Sequence, residues 1–312
     1  MSAVDVQAAY RHCERVTRAR ARNFYYGIRL LPPAKRSALC AVYTFARRVD
    51  DIGDGRLGSQ EKLDRLAAAR SELGQLGPGG PWGSQARPGR QGAEQRRASA
   101  PRADPDPALV ALADASARFL LPLQAFGELI EGVEMDVRGT SYPTFEELAH
   151  YCRCVAGSVG RLSLGVFGSS DPETATVLAD RLGIAMQLTN ILRDLREDAE
   201  AGRVYLPKEE LVRFGCDGDL VPASAPPASS ARFVRLVDFQ VVRAQRFFAE
   251  GLRLLPLLDR RSAACVSAMS GIYRHLLGHI ARHPEAVLNG RVSLPAWQKA
   301  EIAVRSLIGM SP

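Results

Sequence analysis

The residues best suited to chemistry in this sequence are carboxylates, which form two clusters about 140 residues apart. The first cluster contains Asp50 and Asp54, with Arg47 and Tyr43 shortly before them. On a helix the two carboxylates lie about 40° apart, and Arg47 and Tyr43 fall on the same side. One helix face is therefore expected to carry two carboxylates, a guanidinium and an aromatic ring.

The second cluster places Asn190, Asp194 and Asp198 at intervals of four residues. This spacing aligns the three side chains along one face of a helix. Arg193 and Gln187 flank them, and leucine and isoleucine fill the neighbouring positions. An otherwise apolar helix would hold these polar groups inside the protein.

Both clusters suit magnesium, which takes oxygen ligands and is usually held by a few carboxylates together with waters and substrate phosphates. Two opposed acidic faces could hold two or three Mg²⁺ ions, or Mn²⁺ in their place. Arginines beside the carboxylates would bind the remaining diphosphate oxygens in bidentate fashion. We therefore predict that pyrophosphate becomes a good leaving group at a metal site. Its expected ligands are Asp50, Asp54, Asn190, Asp194 and Asp198.

Ionisation of an allylic diphosphate at such a site would create a carbocation. Water must then be excluded, and aromatic rings and small apolar surfaces must face the cation. Tyr43 is a candidate for this lining, as are Phe24, Tyr25 and Tyr26.

Other interpretations of these residues are weaker. Acidic pairs four residues apart are common on exposed helices, but two clusters that each carry an arginine favour a site. A di-iron bundle needs two Glu-x-x-His pairs, and the chain has one, Glu147 with His150. A zinc site from His150, Cys152 and Cys154 is disfavoured, because helical residues two apart point in different directions. Nucleophile motifs and glycine-rich phosphate loops are missing.

The elements that must position these residues are helices. Apolar residues recur at helical spacing, and strand signals are nearly absent, over about 6–75, 108–200 and 231–310. Breaks are expected at 30–33, 141–144, 169–172 and 216–230. Thr144 and the pair Asp171 and Pro172 read as helix starts. We predict an all-α, single-domain protein over residues 1–312.

Residues 76–107 differ from the rest, being rich in Gly, Pro and Arg with almost no large apolar side chain. These residues can bury too little apolar surface to offset the conformational entropy lost on ordering. A disordered surface insertion is expected here.

Composition limits the partners and the location. The net charge of +7 suits an anionic partner. Nucleic acid is disfavoured as a partner, since the arginines interleave with acidic residues.

The six cysteines are scattered along the chain, which indicates a reducing compartment. No signal peptide or membrane-spanning run is visible. We expect a cytoplasmic protein with at most peripheral contact at the inner face of the membrane.

At these residues the chain resembles the squalene/phytoene synthase family. The resemblance spans about 15–310, apart from the insertion. It is carried by NFYYGIRLLPPAKRSALCAVYTFARRVDDIGD, EGVEMD, YCRCVAGSVG, QLTNILRDLREDAEAGRVYLP and RVSLPAWQK. It implies a helical isoprenoid synthase fold, the class I terpenoid synthase fold, with a central cavity.

The resemblance also implies roles for particular residues. The five predicted metal ligands match metal and diphosphate positions. Diphosphate contacts are matched by Arg47, Arg193, Arg203 and Tyr205, and cavity positions by Tyr151 and Gln187. The small-residue stretch with Val155, Gly157 and Val159 would leave room for a prenyl chain, although close helix packing explains it about as well. Asn23 stands where many relatives carry a serine thought to touch diphosphate, and its amide can still donate a hydrogen bond.

Within the family, FYYGIRLLP together with DDIGDG looks most like bacterial presqualene diphosphate synthases of squalene and hopanoid pathways. This implies that one farnesyl diphosphate ionises, a second attacks C1 of the cation, and proton loss closes a cyclopropane. Asp50, Asp54, Asp194 and Asp198 would drive ionisation, and Tyr151 or the departing pyrophosphate would take the proton. NADPH is not expected for this step. The implied partners are prenyl diphosphates and downstream pathway enzymes.

Four alternatives stay open. Phytoene synthase would couple two geranylgeranyl diphosphates, and squalene synthase would add a reduction by NADPH. A terpene cyclase would share the Asp-Asp-x-x-Asp motif but carry Ser and Glu where this chain has Asp194 and Asp198. A scaffold that had lost the chemistry would be expected to lose some carboxylates, and none is missing.

Overall fold

The computed structural model of the protein describes residues 5–21, 23–76, 106–217, 227–288 and 290–309. Every regular element within these ranges is helical. The all-α fold class expected from the spacing of apolar residues is therefore confirmed. The segment expected to be disordered, 76–107, lies outside the described residues except at its ends.

The described ranges form fourteen α-helices, numbered in chain order. They are α1 (Val6–Arg20), α2 (Phe24–Ile28), α3 (Pro33–Asp54), α4 (Ser59–Gly74), α5 (Pro107–Arg118), α6 (Gln124–Val137), α7 (Phe145–Cys152), α8 (Ser158–Phe167), α9 (Pro172–Arg193), α10 (Leu195–Glu200), α11 (Lys208–Phe214), α12 (Pro227–Gly251), α13 (Arg260–Arg282) and α14 (Ala296–Leu307). A π-helical segment, Arg153–Gly157, joins α7 to α8, and 3-10 helices follow α12 (Leu252–Leu257) and α13 (Pro284–Leu288).

Two helix starts follow the local sequence signals. The Thr144 hydroxyl accepts a hydrogen bond from the Glu147 backbone N–H, and the Glu147 carboxylate accepts one from the Thr144 N–H. This reciprocal cap satisfies two backbone donors that α7 would otherwise leave unpaired. The Asp171 side chain accepts from the Thr174 N–H at the start of α9, and Pro172 occupies its first position.

The centre of the fold is α9, which packs against α8, α12, α13 and the π-helical segment. Apolar side chains are buried on most sides of α9 because it is surrounded by these neighbours. On the other side, α3 packs against α1, α5, α6 and α8. The space between α3 and α9 is the position at which the two acidic clusters can meet.

Glycines let α9 approach its neighbours closely. A Cβ atom on Gly183 would lie 2.6 Å from the backbone nitrogen of Gly157, and one on Gly160 would lie 2.9 Å from the carbonyl oxygen of Ala179. Gly157 and Gly160 of the VAGSVG stretch therefore allow close helix packing, one of the two readings open from sequence.

Among the described residues, no helix is both long enough and apolar enough to cross a bilayer.

Candidate active site

A cavity of about 620 Å³ lies between α3, α6, α8, α9 and α13. Along α9 its wall runs from Ala179 through Leu182 and Met186 to Asn190 and Asp194. At 1.5 Å per residue, this wall is about 22 Å long. It is apolar toward the start of the helix and polar toward its end. The cavity therefore has the shape and polarity to hold a long hydrocarbon with a charged head.

The first acidic cluster lies where α3 ends. Asp50 and Asp54 both line the cavity, as the helical spacing predicts. Burial raises the pKa of Asp50 to about 7, with the Arg47 guanidinium opposing this effect and the Asp54 carboxylate adding to it. A Cβ atom on Gly53 would lie 2.5 Å from Cγ1 of Val133, so the glycine lets α3 approach α6 at this level.

The second acidic cluster spans a break in the helix. Helix α9 ends at Arg193 and α10 begins at Leu195, yet the i to i+4 backbone bonds continue. Asp194 N–H donates to the Asn190 carbonyl and Asp198 N–H to the Asp194 carbonyl, both at 2.9 Å. All three side chains line the cavity. Burial and the Asp194 carboxylate raise the pKa of Asp198 to about 6, against the effect of Arg203.

Arginines connect the two clusters. Nη1 of Arg203 lies 3.6 Å from Oδ1 of Asp54, and its Nε lies 3.9 Å from Oδ1 of Asp198. Arg193 is buried and its Nε donates to Oδ1 of Asp194 at 2.8 Å. The three carboxylates thus converge on one end of the cavity, where cationic groups partly offset their charge.

Two further cations lie at this end. Arg47 lines the cavity and forms an ion pair with Asp51. Arg291 also lines it, and its Nε lies 3.2 Å from Oδ1 of Asp194. Sequence reasoning missed Arg291, although it belongs to the RVSLPAWQK stretch, because 97 residues separate it from its partner.

Asp136 is the second functional candidate that sequence reasoning missed. It lies at the end of α6, where Tyr151 donates a hydrogen bond to its Oδ2 at 3.0 Å and Tyr205 donates to its Oδ1 at 2.8 Å. The two tyrosine rings stack with centroids 5.2 Å apart. Burial raises the pKa of Asp136 to about 6 despite these bonds. In the sequence, Asp136 could have been noticed as the last residue of EGVEMD, where an acidic side chain ends an apolar helix.

The polar end offers a donor set that fits magnesium. Oδ1 of Asn190 is buried and has no hydrogen-bond partner among the described residues, because its amide nitrogen is turned to Gln187 Oε1 at 3.2 Å. Burial raises the pKa values of Asp50 and Asp198, neighbouring carboxylates add to this effect, and the arginine beside each offsets only part of the whole. A hard divalent cation would supply further positive charge and ligate the unpartnered oxygen.

Most residues singled out from the sequence meet in this cavity. Its lining includes Tyr43, Arg47, Asp50, Asp54, Tyr151, Val155, Val159, Gln187, Asn190, Arg193, Asp194, Asp198, Arg203 and Tyr205. Phe24 also lines it, whereas Tyr25 and Tyr26 are not among the lining residues.

Two predicted substrate contacts are placed elsewhere. Gly157 packs against α9, where a Cβ atom would lie 2.7 Å from Oδ1 of Asp180. Asn23 precedes α2 without a side-chain capping bond, and it does not line the cavity. The structure therefore does not bring Asn23 and Gly157 into the cavity lining, and their contact with substrate stays a prediction.

The histidine and thiol considered for zinc form a different group. Nε2 of His150 lies 3.8 Å from Sγ of Cys154 and 3.5 Å from Oε1 of Glu131, whereas Cys152 is buried apart from this group. Nη2 of Arg153 lies 3.4 Å from the other ring nitrogen. Burial raises the pKa of the Cys154 thiol to about 11. These contacts describe a buried thiol beside a hydrogen-bonded imidazole.

Comparison with known proteins gives the site its context. The sequence model of the squalene/phytoene synthase family matches residues 17–298. The phytoene synthase of Mycobacterium tuberculosis (strain ATCC 25618 / H37Rv) is 44% identical over 303 residues, covering 97% of this chain and 92% of that protein. The presqualene diphosphate synthase of Zymomonas mobilis subsp. mobilis is 42% identical over 214 residues, which cover 68% of this chain and 65% of that protein.

The fold has solved counterparts. A crystal structure of a dehydrosqualene synthase in complex with ligand superposes with a TM-score of 0.80 at 25% identity, covering 97% of this chain and 96% of that one. The resemblance recognised from the sequence motifs, and the helical isoprenoid synthase fold that it implied, are confirmed.

Proposed function

Because the chain belongs to the squalene/phytoene synthase family of prenyltransferase-type enzymes, we propose that it joins two prenyl diphosphates head to head. The observation that carries this proposal is the convergence of both acidic clusters on one end of an apolar cavity, with Arg203 between Asp54 and Asp198. A charged head and a long hydrocarbon need this combination of surfaces.

The polar end would bind the diphosphate groups. Asp50, Asp54, Asn190, Asp194 and Asp198 would hold Mg²⁺. Bound magnesium would neutralise the diphosphate and make it a better leaving group. Arg193 and Arg203 would donate to the remaining phosphate oxygens, and Arg47 would do so after release from Asp51. These cations favour breaking the C1–O bond, whose electron pair stays on the departing diphosphate.

The apolar end would protect the reaction from water. The 2,3 double bond of the second substrate attacks C1 of the first, and loss of a proton closes a cyclopropane. Phe24 and Tyr43 line the cavity and can face the cation with their rings. Apolar walls exclude water that would otherwise trap the cation as an alcohol.

A proton acceptor is available in the Asp136 group. The Tyr151 oxygen can receive the proton lost from the substrate while its own hydroxyl proton passes to Asp136, to which it is already hydrogen-bonded. The pKa of Asp136, raised by burial to about 6, makes this carboxylate a better base than an exposed one. Tyr205 would hold the carboxylate in place during the transfer.

The substrate proposed first is geranylgeranyl diphosphate, with phytoene as the product. The support is the near full-length similarity to a protein named phytoene synthase. After the cyclopropane forms, the second diphosphate would leave and the cation would rearrange and lose another proton, giving a C40 hydrocarbon with a conjugated triene at its centre. The motifs FYYGIRLLP and DDIGDG favoured farnesyl diphosphate as the substrate, so the preferred substrate proposed here differs from the one predicted from the sequence.

Farnesyl diphosphate is the second candidate. The protein of Zymomonas mobilis named presqualene diphosphate synthase is nearly as similar over the part that aligns. In that reaction the cyclopropyl diphosphate is the product, and no NADPH is needed.

One product assay tests these proposals. The purified protein is incubated with Mg²⁺ and each substrate separately, without NADPH, and products are identified by mass spectrometry before and after phosphatase treatment. A C40 hydrocarbon with a central conjugated triene from the C20 substrate supports phytoene synthesis, whereas a C30 diphosphate from the C15 substrate supports the second candidate. A C15 or C20 hydrocarbon without coupling would contradict both. Asp54→Asn should abolish coupling, and Asp64→Asn, an acid on α4 outside the cavity, should not.

A further inference from the structure

A row of three residues on α6 lies beside the part of the chain that carries Tyr151. Glu128, Gly132 and Asp136 follow one another at intervals of four residues, so they lie along one side of α6. A Cβ atom on Gly132 would lie 2.4 Å from Cγ1 of Val155 in the π-helical segment. Asp136 accepts the hydrogen bond of Tyr151 just before that segment. The row therefore faces the junction between α7 and the π-helical segment.

Glu128 ties the outer end of this row into a charged network. Its carboxylate accepts two hydrogen bonds from the guanidinium of Arg161 on α8, from Nη1 at 2.8 Å and from Nη2 at 2.6 Å. Nη1 of Arg153, the first residue of the π-helical segment, also donates to it at 2.8 Å. Nε of Arg161 lies 2.9 Å from Oδ1 of Asp180 on α9. Arg161 therefore bridges α6 and α9, the two helices that pack against the π-helical segment.

The two carboxylates of this network depend on Arg161. The side chains of Arg161 and Asp180 are only 14% and 20% exposed. Hydrogen bonds from Arg161 lower the pKa of Glu128, whereas burial raises the pKa of Asp180 against the effect of Arg161. Removing one member of a largely buried ion pair leaves an uncompensated charge. Loss of Arg161 would therefore release the link between α6 and α9.

The backbone of the π-helical segment needs support from its surroundings. The Ser158 N–H donates to the carbonyl of Arg153, five residues earlier, where a regular helix would use four. Such turns are rare and are found mostly at functional sites. An uncommon backbone conformation persists where neighbouring contacts hold it. Within this segment Val155 lines the cavity and Gly157 packs against α9, so a relaxed turn would move the cavity wall and the end of α7 together.

We propose that Arg161 is a positioning residue for the coupling reaction. By joining Glu128 to Asp180 it fixes the π-helical segment between α6 and α9, and thereby holds Tyr151 within hydrogen-bond distance of Asp136. Arg161 does not line the cavity, so it acts through the protein and not on the substrate. This role rests on the proposed function, in which Tyr151 takes the proton lost from the substrate.

A double-mutant cycle tests this role. Arg161→Gln should lower kcat for coupling about tenfold with little change in KM, since a small displacement of a reacting group by a distant substitution can cost up to about 100-fold. Arg161→Lys should recover only part of the loss, because lysine keeps the charge without the planar fork. In a Tyr151→Phe background, Arg161→Gln should change kcat less than about twofold, because residues that act as a unit have non-additive effects.

The matched control is Arg243→Gln. Arg243 on α12 binds both carboxylate oxygens of Glu210 on α11, and their side chains are 16% and 6% exposed. Arg243 does not line the cavity. Both arginine variants should lower the Tm, but only Arg161→Gln should lower kcat at a temperature where all variants are folded. Equal kcat losses in the two variants, or equal effects of Arg161→Gln in the native and Tyr151→Phe backgrounds, would overturn the proposal.

Hydrogen exchange without substrate separates this proposal from the proposed function. Amides of Arg153–Gly157 should exchange faster in Arg161→Gln than in the native protein or in Arg243→Gln. Asp180→Asn, which weakens the same bridge from the α9 side, is the second variant and should act in the same direction. Unchanged exchange in both bridge variants would overturn the positioning role. Faster exchange in a native protein background that shows no coupling would count against the proposed function and support the hold of Arg161 on the segment.

Discussion

Arg203 reaches Asp54 with Nη1 and Oδ1 only 3.6 Å apart, although 149 residues separate them in the chain. The contact joins the end of α3 to the segment after α10, so the two acidic clusters share a cation. Nε of the same guanidinium is buried and has no hydrogen-bond partner among the described residues. This N–H group of Arg203 is therefore free to donate a hydrogen bond to an anionic ligand.

Replacing Arg203 should therefore impair diphosphate binding and ionisation together. Arg203→Gln is expected to lower kcat/KM for coupling about 100-fold, the scale seen when one donor to a developing charge is removed. Arg203→Lys should recover part of the loss because it restores the charge but not the planar fork. Steady-state kinetics at saturating Mg²⁺ measure both. Arg65→Gln, at an exposed arginine paired with Glu61, is the control and should behave like the native protein.

The hydroxyl of Tyr151 offers a test of the proposed proton acceptor. Tyr151→Phe and Asp136→Asn should each lower kcat about 100-fold or more, the usual contribution of a positioned base, while KM changes little. Tyr142→Phe is a matched control, because the Tyr142 hydroxyl is buried without a hydrogen-bond partner among the described residues. Equal losses in all three variants would assign the effect to packing of the tyrosine rings instead.

The sequence was informative where chemistry depends on local spacing. Asp50 with Asp54, and Asn190 with Asp194 and Asp198, share faces because the helix repeats every 3.6 residues. The predicted ladder survives the break in the helix at Asp194, since its i to i+4 bonds persist. Periodicity therefore located the acidic clusters, their helices and the all-α class.

Other features depend on tertiary contacts that no local pattern encodes. Asp136 acquires its importance from tyrosines 15 and 69 residues away. Gly157 lies in a π-helical segment, whose wider turn rotates side chains away from the positions that a regular helix predicts. It therefore faces α9, while Val155 lines the cavity. Such residues could be placed only once the packing of α6, α7 and α9 was known.

The pH dependence of stability should report the metal site. The pKa of Asp50 is raised from 3.8 to about 7, and that of Asp198 to about 6. Between pH 4 and 7 the folded state therefore binds more protons than the unfolded state, so the free energy of unfolding should fall as pH rises. Without metal, the Tm should decrease from pH 5 to pH 7.5.

Added Mg²⁺ should reverse this trend, since it binds the ionised carboxylates of the folded state. The expected increase in Tm is larger at pH 7.5 than at pH 5, measured by differential scanning fluorimetry with and without the ion. Asp50→Asn should raise the Tm of the metal-free protein at pH 7.5 and reduce its response to Mg²⁺. An equal response in the native protein and this variant would remove Asp50 from the metal site.

Close packing of α9 against the π-helical segment predicts a large cost for one methyl group. A Cβ atom on Gly183 would lie 2.6 Å from the Gly157 nitrogen and 2.7 Å from the Ala156 carbonyl oxygen, both backbone atoms that cannot move alone. Gly183→Ala should therefore destabilise the fold by about 1–3 kcal/mol or more, as overpacking usually does.

The control for this substitution is Gly278→Ala in α13, where the new methyl group would meet no described atom within 4 Å apart from the adjacent residues and the backbone of its own helix. Here the same change should stabilise the protein by about 0.5–1 kcal/mol, because alanine loses less backbone entropy than glycine in a helix. Urea unfolding of both variants measures the difference. If the Gly183→Ala variant were as stable as the Gly278→Ala variant, α9 and the π-helical segment would have to lie farther apart than these distances indicate. The cavity between α3 and α9 would then be wider than about 620 Å³.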